Sequence, residues 1–200
     1  MKQKIVFLLG VSCLILNGLM GQKWSMKDSI LLSLKNKPEF SGSLDGRQSY
    51  VLAQPVNIFG IRAGMDYKKT ALYGGIYATA FTDALAQNSY KYFYLSATGE
   101  YRWYHTYRWQ VNQTVQLGIG SADIKRTVDG EEQYYSKMIV PVETGVYASY
   151  RVWKFIGVAA GVGIRISATP GTYFSGSYYS GGLTFYADEL MKILPRLSER

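Results

Sequence analysis

Few side chains in this sequence are of a type that performs catalysis. The chain has one histidine, His105, in the stretch "YHTY" (104 to 107). Nucleophilic or acid–base work would need that imidazole beside a nucleophile and a group that orients it, and the stretch offers Tyr104, Thr106 and Tyr107 but no serine. A solvated turn histidine is the expectation. The single cysteine, Cys13, lies inside an N-terminal apolar run, so the chain beyond it has no thiol for catalysis, disulfides or an all-cysteine metal site. Asp129, Glu131 and Glu132 in "TVDGEEQ" suggest a cation or lipopolysaccharide-bridging tip, yet the spacing is not that of a calcium loop. The glycines of "GVGIR" sit within a strand pattern and form no phosphate cradle. No catalytic residue, metal site or cofactor is expected.

Six other charges fall within stretches that alternate in character. Arg62 and Asp66, Glu100 and Arg102, and Glu143 and Arg165 each fall among small or polar residues at alternate positions, and alternation is the signature of a strand with two different faces. The clearest case is "FIGVAAGVGIRIS" (155 to 167). Ile156, Val158, Ala160, Val162, Ile164 and Ile166 share one side, and Gly157, Ala159, Gly161, Gly163, Arg165 and Ser167 share the other. As a helix this run would carry three interior glycines at about 1 kcal/mol each, whereas Val and Ile at alternate positions favour a strand.

The same division recurs. Phe93, Leu95, Ala97, Gly99, Tyr101 and Trp103 oppose Tyr94, Ser96, Thr98, Glu100 and Arg102; Trp109, Val111, Val115, Leu117 and Ile119 oppose Gln110, Asn112, Thr114, Gln116, Gly118 and Gly120. Stretches 57 to 67, 137 to 152 and 178 to 188 follow, 70 to 81 is strand-like with an ambiguous facing, and "RQSYVLAQ" (47 to 54) is the faintest, which makes eight. Connections at 68 and 69, 104 to 107 and 153 to 155 are short, whereas 82 to 90, 126 to 136 and 168 to 177 are long and polar; 55 to 56 breaks the alternation.

Short turns at one end, long loops at the other and an even number of two-faced strands describe a transmembrane β-barrel. Aromatic residues gather at both ends, with Trp103, Trp109, Trp153 and Phe155 among those by the short turns and Tyr90, Tyr92, Tyr134, Tyr135, Tyr173, Phe174, Tyr178 and Tyr179 by the long loops. They read as membrane-interface girdles. Eight strands enclose a lumen just wide enough for side chains to fill, which places small residues and charges inside and aliphatics on the lipid face. Arg62, Asp66, Glu100, Arg102, Glu143 and Arg165 then form a lumen charge network, with the short 153 to 155 turn setting Glu143 opposite Arg165. The rival is a soluble lipocalin-like barrel binding an apolar ligand, its aliphatic face turned inward.

The chain opens "MKQKIVFLLGVSCLILNGLMGQ", laid out as a secretory signal peptide with cleavage after Gly21. Removing Lys2 and Lys4 leaves 20 of the 22 Lys and Arg against 14 Asp and Glu, a balance of +6. These cations are scattered singly, not in the stripes of a nucleic-acid reader, so no nucleic-acid partner is expected.

With these residues in view, the chain resembles the small outer-membrane β-barrel proteins of Gram-negative bacteria, especially the Bacteroidetes-type. The "YRVWKFIGVAAGVGIR" hairpin and the aromatic, glycine and aliphatic strands from 47 to 188 carry the resemblance. It implies an all-β, eight-stranded antiparallel up-and-down transmembrane barrel in the outer membrane, exported by a cleaved signal peptide (1 to 21). A periplasmic N-terminal segment (22 to 46) with a brief helix within 25 to 40 precedes the barrel (47 to 188), and a periplasmic tail (189 to 200) of helical spacing follows it. The function expected is non-enzymatic and structural, at the surface or in an envelope complex. Its expected partners are outer-membrane lipids and lipopolysaccharide, and an envelope protein. A lipid-modifying outer-membrane enzyme is the other reading.

Overall fold

The computed structural model describes residues 26–51, 54–83, 88–128, 131–169 and 174–191. The expected leader, its cleavage point and tail residues 192–200 lie outside the described residues. The elements in chain order are α1 (Met26–Ser33), β1 (Glu39–Val51), β2 (Gln54–Tyr67), β3 (Thr70–Asp83), β4 (Asn88–His105), β5 (Trp109–Val128), β6 (Glu131–Ile139), β7 (Pro141–Arg151), β8 (Ile156–Ser167) and β9 (Gly176–Tyr186), with a helical turn at 187–191.

All pairings are antiparallel and join chain neighbours, except that β6 and β7 both pair with β5 and not with each other, and β1 also pairs with β9, which closes the ring. The stretch read as one strand over 137 to 152 is interrupted at Val140. Pro141 carries no N–H to donate and stops the ladder there. The register is the same on both sides of the break, Gly120 opposing Ile139 and Leu117 opposing Val142. Thus β6 and β7 together make one stave, and the barrel has eight.

The strand faces follow the side chains. On β8, Val158, Val162, Ile164 and Ile166 are exposed on the outside, Val162 by 64%, while Gly157 and Arg165 are buried. Phe59 at 70% and Ile61 at 64% are exposed in the same way on β2. Turning this aliphatic face inward around an apolar ligand, as in a lipocalin, is not the packing found. A concavity of about 840 Å³ also lies on the outer surface, floored by Gly46, Ala63, Gly74 and Gly181 and walled by Leu44 and Phe59.

Inside, glycines make room for tyrosines of the adjoining strand. A Cβ at Gly60 would run into the Tyr77 ring, one at Gly118 would lie 2.9 Å from the ring of Tyr94, and one at Gly161 2.6 Å from that of Tyr147. A tyrosine laid over a cross-strand glycine fills the gap that the missing side chain leaves. The facing of β3, ambiguous in the sequence, is settled by this packing: Tyr73 and Tyr77 point inward, Leu72 and Ile76 outward.

Two boundaries differ from the sequence expectations. The barrel begins at Glu39, not 47, and "RQSYVLAQ" is split between β1 and β2. The inward positions of β1, Ser41, Ser43, Asp45, Arg47 and Ser49, are all polar, and its outward positions include Gly42, Gly46 and Gln48. With neither face apolar as a whole, no alternation marks the strand. Two of the three expected long loops are taken up in part by strand, since pairing runs to Asp83 with Asn88 and to Val128 with Glu131. Backbone pairing needs no apolar pattern, so the polar β5–β6 hairpin extends beyond the aliphatic band.

Candidate functional site

The lumen is the densest polar site of the molecule, and it is layered along the barrel axis. The end that carries the 68–69 and 106–108 turns and both outer ends of the β1–β9 pair is called the near end here. Closest to it, Arg102 Nη2 lies 2.6 Å from Asp66 Oδ1, and Tyr73 Oη donates to the same oxygen at 2.6 Å. Arg102 Nη1 also donates to the Lys68 carbonyl at 2.9 Å. One layer in, Arg62 donates to Glu100 Oε1 at 2.5 Å and to Ser43 Oγ at 2.7 Å, and Asn112 Nδ2 reaches Glu100 Oε2 at 3.0 Å.

The middle layer is centred on Arg47. Its guanidinium donates to Asp45 Oδ2 at 2.6 Å, to Gln116 Oε1 at 3.0 Å and to Glu143. Tyr77 Oη donates to Asp45 Oδ2 at 3.1 Å, and its ring stacks on that of Tyr94 with centroids 5.1 Å apart. Tyr94 Oη in turn donates to Glu143 Oε1 at 3.0 Å.

Glu143 and Arg165 are cross-strand partners in the β7–β8 ladder, but they do not form a hydrogen bond. Arg165 Nε is 3.8 Å from Glu143 Oε1, beyond hydrogen-bonding distance. The Arg165 guanidinium instead lies over the Phe174 ring, 4.0 Å from its centroid, a cation–π arrangement. Among the described residues none of its three nitrogens has a hydrogen-bond acceptor, although the residue is only 1% exposed. The far part of the lumen around it is apolar and aromatic, with Val56, Ile58, Tyr92, Ile124, Ile139 and Phe174 buried together.

Four guanidiniums, Arg47, Arg62, Arg102 and Arg165, thus meet four carboxylates, Asp45, Asp66, Glu100 and Glu143. All six charged residues singled out in the sequence lie in this network. Asp45 and Arg47 were missed because β1 was started at 47 and given no facing. The signal available was the i, i+2 spacing of two opposite charges among serines. Polar voids within the network measure about 20 and 10 Å³, each room for about one water, so the layers are packed.

The aromatics divide differently from the sequence expectation. Trp103, Trp109 and Trp153 are exposed at the near rim, with Phe155 half-buried beside them, and Trp109 packs on Tyr150. At the other end Tyr134, Tyr135 and Tyr179 are exposed, but Tyr90, Tyr92, Tyr178 and Phe174 are buried inside the barrel. Tyr90 and Tyr92 share the parity of the inward Tyr94, and that alternation overrides their nearness to a turn. Tyr173 lies outside the described residues.

His105 is the last residue of β4, exposed at the near end. Partial burial, then the charges of Arg102 and Arg151, hold its pKa below the usual imidazole value. On the β5–β6 hairpin, hydrogen bonds from Lys125 and Tyr134 hold the Glu132 carboxyl below its usual range. No group of three or more possible metal ligands occurs among the described residues, and no helix there is long and apolar enough to cross a membrane.

No known family profile matches the chain, and no curated protein matches it in sequence. Solved structures do resemble it. Neisserial surface protein A is similar at 11% identity and TM-score 0.47, over 74% of this chain and 96% of that one. The N-terminal β-barrel domain of Pseudomonas aeruginosa OprF is similar at 11% and 0.48, over 74% and 98%. Ail, the attachment invasion locus protein of Yersinia pestis, is similar at 11% and 0.48, over 74% and 96%.

Proposed function

We propose that this chain is a non-enzymatic outer-membrane barrel that acts through its surfaces and not through its lumen. The observation that carries this reading is the pairing of an aliphatic exterior with a packed interior in which four arginines meet four carboxylates. A closed barrel satisfies every strand's backbone within itself, as a lipid environment requires, and exposed Phe59, Ile61, Val162 and Ile166 suit hydrocarbon far better than water. Charges facing lipid would be costly, and here they face one another.

In this reading the leader ends at Gly21, the near end is periplasmic, and the β5–β6 hairpin stands out from the cell. Lys125 and Tyr134 on its outer side, with Lys91 of β4 and Asp123 around a hollow of about 530 Å³, suit the phosphate-rich headgroups of the outer leaflet, lipopolysaccharide included. An envelope protein docked on either rim is compatible with the same orientation. Fold alone supplies no narrower role.

Two measurements test the reading. Membrane fractionation with heat-modifiable gel mobility should recover the chain in the outer membrane with a faster-running unheated band. Planar-bilayer recording of the reconstituted protein should give no ohmic conductance. Recovery as a soluble periplasmic protein, or a steady open channel, would overturn it.

A further inference from the structure

At the near end, α1 is bound to the barrel by one side only. Ser29 and Ser33, one turn apart, face the strands. Tyr101 Oη donates to Ser29 Oγ at 3.3 Å, the Lys69 amide donates to Ser33 Oγ at 3.1 Å, and Ser33 Oγ donates to the Tyr67 carbonyl. This fixes the helix against the β2–β3 turn, next to the outward row of Phe40, Met65 and Leu72. The helix therefore continues the aliphatic exterior past the last strand residues.

Its other side is uncovered and mixed, with leucines set among lysines. Leu31 is 51% and Leu32 47% exposed, and Leu34 follows them at the end of the helix. Cations border these leucines: Lys27 one turn before Leu31, Lys35 one turn after it, Lys37 in the link to β1, and Lys68 and Lys69 in the turn the helix touches, all exposed. The acidic residues of the same stretch are Asp28 and Glu39, and Asp188 nearby is engaged by the Phe40 amide at 2.9 Å. Exposed leucines interspersed with lysines suit an interfacial position, where the leucines enter the headgroup boundary while the cations meet lipid phosphates.

We infer that α1 and the lysines around it form an anchor on the leaflet at the near end, with a preference for anionic phospholipid. The inference rests on the membrane-spanning reading above. The occupant is a lipid surface, because the leucines are continuous with the lipid-facing band and the local charge is positive.

The test uses the full chain with Cys13→Ser, which leaves no other cysteine. Single cysteines at Leu31→Cys, Leu32→Cys and Val162→Cys carry an environment-sensitive fluorophore. Each protein is reconstituted into phosphatidylcholine vesicles with or without phosphatidylglycerol and challenged with lipids bearing shallow or deep nitroxide quenchers. The Val162 probe reports on spanning, and deep quenching there is expected in both lipids. The Leu31 and Leu32 probes should be quenched by shallow nitroxides, with blue-shifted emission that strengthens several-fold with phosphatidylglycerol. Lys27→Gln, Lys35→Gln, Lys68→Gln and Lys69→Gln together should abolish that strengthening. An unquenched Val162 probe sinks the spanning reading and the inference with it. A quenched Val162 probe with water-exposed Leu31 and Leu32 probes sinks the inference alone, as does quenching that ignores both phosphatidylglycerol and the lysines.

Discussion

Glu143 and Arg165 are partners in register but unequal in bonding, and that inequality can be measured. Replacing Glu143 by Ala removes the acceptor of Arg47 Nη1 and of Tyr94 Oη, 3.0 Å away, as well as the carboxylate facing Arg165. Arg47 keeps Asp45 and Gln116, but Arg165 is left with only the Phe174 ring. Breaking a buried pair from one side typically costs about 3–5 kcal/mol, so the folding equilibrium should fall by roughly two to four orders of magnitude. Arg165→Met is the opposite case. It removes a buried cation without a hydrogen bond to lose, keeps an unbranched side chain beside Phe174, and leaves Glu143 bonded to Arg47. Its cost should stay below about 1 kcal/mol, and it can stabilise, because a buried ion must otherwise repay its desolvation. The double variant Glu143→Ala, Arg165→Met should recover part of the loss of Glu143→Ala, since the stranded cation is gone. Urea unfolding of the barrel in lipid vesicles, read by tryptophan fluorescence and by the heat-shifted band, gives all three values. If Arg165→Met costs as much as Glu143→Ala, Arg165 is held by bonds this geometry does not contain, and the reasoning fails.

Three further outcomes follow from the same packing. Gly60→Ala should destabilise by about 1–3 kcal/mol, because its methyl meets the Tyr77 ring, while outward Gly74→Ala, with nothing within 4 Å, should stay within about 0.5 kcal/mol; the same unfolding assay separates them. Val162→Arg, on the exposed band of β8, should cost about 2–4 kcal/mol in a bilayer if the residue lies near its midplane, and a near-neutral value would contradict a lipid-facing β8. Pro141→Val should restore an amide at the β6–β7 break, and hydrogen exchange should then show protection continuous from β6 into β7.

The strands that could be read from the sequence were those whose exterior is aliphatic. β4, β5 and β8 show their facing directly because Leu, Ile and Val occupy alternate positions there, and the short turn before β8 fixes Glu143 opposite Arg165 by parity. β1 could not be read this way. Its lumen face is serine, Asp45 and Arg47 and its exterior includes two glycines, so its strand character comes from pairing with β2 and β9. The tyrosines of β3 were ambiguous for a related reason. Whether Tyr77 turns in depends on Gly60, a residue of another strand that only the register brings beneath it. The bonding of Glu143 depends on Arg47, 96 positions away, which no local pattern discloses.

That separation bears on how the molecule assembles. Asp45 and Arg47 arrive on the first stave, and Glu143 and Arg165 on the sixth and seventh. While the β1–β9 seam is open, Arg47 keeps Asp45 on its own strand but is held apart from Glu143. Sealing the seam joins the last backbone ladder and neutralises the middle layer in one event. The Arg62–Glu100 and Arg102–Asp66 pairs lie within the first four staves and do not need the seam, so its closure adds the Arg47–Glu143 pair and the last ladder together. On this account the closed ring should form in an all-or-none manner, with few stable halfway states in the bilayer.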